Sequence, residues 1–123
     1  MKNRYHAHEF LVSSPGELIR FQYKIPETSG TLTGILPVLS GKLPQTTYDY
    51  QTGMLTLEAL NRKIHLASLP VVYQSKVPAR FAFYSLEEDL SRGQLVNGSY
   101  LDNHSNSATF SPYRIKLMFR VMA

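Results

Sequence analysis

The chain contains no cysteine and no tryptophan. Without cysteine there is no structural disulfide, no thiolate zinc site and no cysteine nucleophile, so the fold must be held by packing alone. Without tryptophan, any aromatic ligand platform must come from the eight tyrosines and six phenylalanines. Long apolar runs are also missing. The longest, residues 35–39, is broken by Pro37 and is far below the roughly 18 residues that a membrane-spanning helix needs. Lys2, Arg4, His6, His8 and Glu9 occupy the place where a secretory signal carries its apolar core, so no signal peptide is visible.

Motifs that would announce catalysis are equally scarce. No Gly-x-Ser-x-Gly elbow occurs, and Gly30 and Gly34 are isolated glycines with no Gly-Lys-Ser/Thr after them, which leaves no phosphate-binding loop. Asp102 and His104 are a close acid and imidazole pair, but they lie in the polar, asparagine-rich stretch 102–107, which reads as an exposed loop with solvated turn residues. Glu87, Glu88 and Asp89 are accounted for by a helix start. His6 and His8 have the two-residue spacing that puts both rings on one strand face. A zinc site needs three or four protein ligands, however, and Glu9 points the other way while His65 and His104 are distant in sequence. The pair reads as part of a frayed, exposed terminus. No catalytic residue, metal site or cofactor is expected.

The 123 residues make one β-rich domain, 1–123, large enough to bury about two thirds of the surface its unfolded chain exposes. Thirteen Lys and Arg against nine Asp and Glu give a formal charge of +4. The basic residues are scattered in ones and twos from Lys2 to Arg120, which argues against nucleic acid, whose binders concentrate such charge in a stripe.

Alternation is the dominant pattern. In 113–122, Tyr113, Ile115, Leu117, Phe119 and Val121 fall on one side of a strand, and Arg114, Lys116, Met118, Arg120 and Met122 fall on the other. The first set is core. The second is a candidate contact surface, in which two methionines add soft apolar area to three cations. This strand either forms a sheet edge available to a neighbour or sits centrally.

Residues 18–25 alternate in the same way, with Ile19, Phe21, Tyr23 and Ile25 inward and Leu18, Arg20, Gln22 and Lys24 outward; Pro26 then ends the strand. Residues 8–12 form a short strand closed by the turn signal Ser13-Ser14-Pro15-Gly16. Residues 31–43, broken by Gly34, Pro37 and Gly41, read as short or bulged strand pieces. Tyr48 and Tyr50 share a strand face and form a candidate ligand platform, followed by a hairpin connection at 51–53. Residues 54–69 fit both a helix and a strand–turn–strand, and the β-like surroundings favour the latter. A strand begins at Pro70, and another holds Phe81 and Phe83. Ser85 and Glu88 form a capping-box pair that predicts one short helix near 86–92. Asn97-Gly98 predicts a two-residue hairpin turn.

Short strands at roughly 8 to 12 residue spacing point to a mainly β fold, an antiparallel sandwich or jelly-roll-like barrel of about eight short strands with one short helix. The expected function is a non-catalytic structural or assembly protein that forms homo-oligomers or binds another assembly protein, cytoplasmic or virion-associated; the virion- or phage-type reading rests on fold-level analogy alone. The alternative is a small binding module for a polyanion or glycan.

Overall fold

The computed structural model describes residues 2–27, 29–41, 50–59, 64–73, 83–92, 94–105 and 110–123. Eight strands are found among them: β1 (Asn3–Val12), β2 (Leu18–Lys24), β3 (Thr31–Gly41), β4 (Tyr50–Ala59), β5 (Ile64–Tyr73), β6 (Tyr84–Asp89), β7 (Leu95–Asp102) and β8 (Tyr113–Met122). They form two antiparallel four-stranded sheets in the orders β1-β8-β3-β6 and β2-β7-β4-β5. The pairs β4 with β5, β3 with β6, β2 with β7 and β1 with β8 are nested one outside the next. Pairs β3 with β8 and β4 with β7 knit each sheet together. Nested pairs rolled into two facing sheets are the winding of a jelly roll, the sandwich form of the expected fold.

The core is where alternation placed it. Tyr113, Ile115, Leu117, Phe119 and Val121 are all fully buried, and they face Phe21, Ile25, Leu55, Leu57, Val71, Val96 and Tyr100. Burying each such side chain stabilises by about 2 kcal/mol, so β8 is the most heavily invested strand. It is central, between β1 and β3, and offers no edge to a neighbour. The four edges are β1, β6, β2 and β5.

Several local expectations are corrected. Residues 31–41 are one continuous strand with a bulge between Leu32 and Gly34. Among the described residues β6 pairs with β3 over Thr31 to Ile35, short of Pro37, which lacks a backbone N–H to donate. In place of the short helix, residues 84–89 are strand β6, followed by a single 3₁₀ turn, Leu90–Arg92. Leu86 packs against the core and Leu90 is buried. The same residues that resemble a capping box also alternate, and pairing with β3 decides between the two readings. Asn97-Gly98 is not a turn but lies within β7. There Gly98 pairs with Phe21, and an added Cβ would come within 2.6 Å of the ring's Cε2. Glycine leaves room for the end of that ring against the backbone.

The 51–53 hairpin connection is likewise replaced by a bulge within β4, between Gln51 and Gly53. Gly53 has no room for a Cβ beside the Tyr100 hydroxyl and the Leu101 carbonyl. Residues 54–69 are strands of an antiparallel hairpin, and the connection around Asn61 lies outside the described residues. Pro70 sits inside β5, permitted because β5 is an edge strand. Phe81 lies outside the described residues, and Phe83 precedes β6.

Candidate functional site

At one end of the sandwich a buried polar network joins four strands and two turns. Asp102, the last residue of β7, has a completely buried carboxylate. Its Oδ2 accepts from the backbone N–H of Gly16 (2.8 Å) and of His104 (2.9 Å), and its Oδ1 accepts from His104 Nδ1 (2.7 Å) and from the Tyr113 hydroxyl. Gly16 reaches it from the β1–β2 turn, with φ of 73°, a conformation that suits glycine. Glu17 caps that turn by accepting from the Ser13 and Ser14 backbone N–H groups and the Ser13 hydroxyl. Tyr113 lies 2.7 Å from the Tyr100 hydroxyl. Tyr100 also reaches Thr52 Oγ1 at 3.1 Å, and Thr52 donates to the Val71 carbonyl at 3.0 Å. Tyr100 has one proton, so it serves either Tyr113 or Thr52 at a given moment.

Burial pushes the Asp102 carboxyl up, but the bonds from Tyr113, His104 and the two backbone N–H groups outweigh it and hold it below the ordinary aspartate value. Tyr113 is pushed well above the ordinary phenol value, first by burial and then by Asp102 and Tyr100; Tyr100 is raised by burial. An ionised Asp102 accepts only, so His104 carries its proton on Nδ1. An acid orienting an imidazole is the supporting half of a nucleophile-activating triad. Here the far nitrogen, Nε2, is buried without a polar partner among the described residues, and the ring is boxed by Tyr50, Phe110 and Tyr113. The arrangement is a buried hydrogen-bonded tie between strands and turns. It replaces the expectation that Asp102 and His104 are solvated loop residues.

The other sequence candidates lie outside this network, and Arg114, Lys116, Met118, Arg120 and Met122 share the outer face of β8 as expected. On the outer face of β8, Arg114 lies 3.6 Å from Glu9. Arg120 donates to Thr33 Oγ1 (3.0 Å) and to the Thr33 carbonyl (3.1 Å), and lies over the Phe83 ring at 4.8 Å. Lys116 and Met122 are exposed, while Met118 is half-buried. Tyr50 stacks on Tyr73 at 5.0 Å; Tyr48 lies outside the described residues. His6 and His8 are not on a frayed end, because β1 pairs with β8 along its whole length. His6 meets Glu27 at 3.1 Å, and His8 lies among Phe10, Phe21 and Tyr23. Among the described residues no three His, Cys, Asp or Glu side chains group as metal ligands, and no helix is long and apolar enough to cross a membrane.

The outer face of β2-β7-β4-β5 carries a feature that the chain order hides. Registers Leu18↔Leu101, Leu101↔Met54 and Met54↔Pro70 set four exposed apolar residues in one row across all four strands. Leu18 is 49% exposed, Leu101 51% and Met54 39%. Val72 extends the row along β5. Beside it runs a polar strip, Arg20, Ser99 and Thr56 on one rung and Asn97 and Glu58 on the next, enclosing with Gly98 a shallow cleft of about 140 Å³.

Comparison with family models, curated proteins and solved structures gave no match. Function must therefore be argued from this geometry.

One signal for the row was present in the sequence. Leu18 is the single apolar member of an otherwise polar strand face, Leu18, Arg20, Gln22 and Lys24. Leu101 was obscured by the hairpin expected at Asn97-Gly98.

Proposed function

We propose that the protein is a non-catalytic assembly component that self-associates, with the outer face of β2-β7-β4-β5 as its contact surface. The observation that carries this reading is the row Leu18, Leu101, Met54 and Pro70. Single exposed apolar residues need no explanation, but a contiguous row crossing every strand of a sheet leaves roughly 300 Å² of apolar surface in water, the size of the largest patch on a typical monomer, which is often functional. The opposite sheet has exposed apolar residues as well, but its pairings Tyr5↔Arg120 and Leu11↔Arg114 interrupt them with cations. That difference selects one face. The basic face of β8, the basis for a polyanion reading, supports that alternative less: Arg120 is engaged by Thr33 and Phe83, and Arg114 lies beside Glu9.

Sedimentation velocity over a range of micromolar concentrations tests the proposal. The expected result is a concentration-dependent oligomer that Leu101→Asp abolishes while the circular dichroism spectrum is unchanged. A wild-type chain that stays monomeric at the highest concentrations would sink it.

A further inference from the structure

We infer that the occupant of this face is a second copy of the chain, related by a two-fold axis that lies in the interface and runs along β7. The inference rests on the self-association reading and adds its geometry. In the sheet order β2-β7-β4-β5, strands β2 and β4 flank β7 on either side at the same separation of about 4.8 Å. Rotation about β7 therefore exchanges them. Leu101 then meets Leu101 of the other copy. Leu18 of each copy lies over Met54 of the other, because Leu18, Leu101 and Met54 share one rung. The apolar row is complementary to itself, as a two-fold interface requires.

The polar strip obeys the same operation. Arg20 of one copy comes over Thr56 of the other, since both pair with Ser99. Glu58 is the next outward residue along β4, about 6.8 Å further on, within reach of an arginine side chain. Gln22 lies directly over Glu58, since both pair with Asn97. Each copy thus offers an Arg to the other's Glu and a Glu to the other's Arg. Within the single chain neither Arg20 nor Glu58 has an ion-pair partner among the described residues, although both line the same cleft. Two unpaired opposite charges placed so that one rotation pairs both of them is the charge complementarity that favours a second copy as the occupant.

Pro70 and Val72, on β5, overhang the other copy's β2 and form a rim. Three strands, about 14 Å across, make a contact below the size of a standard interface, so a dimer in rapid, concentration-dependent exchange is expected.

A charge-swap series read by sedimentation equilibrium at low salt tests the arrangement. Arg20→Glu and Glu58→Arg should each raise the dissociation constant at least tenfold, and the double variant should recover to within about threefold of wild type. Leu18→Lys, at another exposed position, serves as an independent disruption should Leu101→Asp fail to fold. If wild type dimerises but neither charge variant nor Leu18→Lys changes the constant, self-association stands and this face is wrong. If both single variants weaken the dimer and the double variant does not recover, the two-fold along β7 is wrong. A wild-type monomer at every concentration overturns this inference and the reading beneath it together.

Discussion

Replacing Asp102 with alanine removes one acceptor group and strands four donors. These are the N–H groups of Gly16 and His104, the Nδ1–H of His104 and the hydroxyl of Tyr113. A buried donor left without a partner costs about 1 to 3 kcal/mol. The four are not equivalent. Gly16 and His104 are partly exposed and can recruit water, whereas Tyr113 is fully buried and can only turn to Tyr100. The expected loss for Asp102→Ala at neutral pH is therefore about 3 to 5 kcal/mol rather than the full sum. For a chain of this length that lowers Tm by roughly 10 to 20 °C. Urea denaturation followed by circular dichroism would measure it.

The pH dependence separates this network from simple loss of packing. Asp102 has a folded-state pKa held below its unfolded value. Its contribution is therefore complete above the unfolded value, near 3.9, and is lost as pH falls through the depressed folded value. The gap between wild type and Asp102→Asn should be widest near neutrality and narrow in acid. A penalty under about 1 kcal/mol for Asp102→Ala, together with parallel pH profiles for wild type and Asp102→Asn, would refute the account of a carboxylate held ionised by four donors.

Two further outcomes follow from other parts of the fold. Gly98→Ala places a methyl against the Phe21 ring, which is itself stacked on Phe10 at 5.2 Å, so the ring must shift; a loss of about 1 to 3 kcal/mol is expected by chemical denaturation. Tyr113 is held protonated in the folded state, so its contribution is present below the unfolded phenol value near 10 and declines as pH rises beyond it. Tyr113→Phe should lower stability at neutral pH and flatten the alkaline limb of the stability profile, which thermal melts between pH 8 and 11 would record.

Period-two alternation made β2 and β8 legible from their own residues, because a strand half in the core must alternate. The recurrence of short strands also pointed to an antiparallel sandwich or jelly-roll-like barrel, although two of the expected turns, 51–53 and Asn97-Gly98, lie inside strands. What these patterns missed depends on residues far away in the chain. Ser85 and Glu88 carry a local helix signal, and only pairing with β3 turns them into strand. Asn97-Gly98 is a strong hairpin signal considered alone, and it is overridden by Phe21, 77 residues earlier, which needs a residue without a side chain opposite it. Asp102 and His104 sit in a stretch of turn-forming composition. Composition does not reveal that Gly16 and Tyr113 converge on the same carboxylate. The apolar row was partly visible in Leu18, but a row across four strands exists only once register is fixed.

The nested pairing of β4 with β5, β3 with β6, β2 with β7 and β1 with β8 has a consequence for how the chain acquires its structure. Only the innermost pair is local; every pair outside it must close a longer loop before its contacts form. Such a topology folds slowly, on the millisecond-to-second scale typical of sandwiches dominated by distant pairings. On the ribosome the order is harsher, because β8 emerges after the other seven strands and brings five fully buried side chains with it. Until then, the strands that flank it, β1 and β3, have no partner between them. The nascent chain therefore carries an open slot the width of one strand, a point at which a chaperone, or β8 from another copy, can intervene.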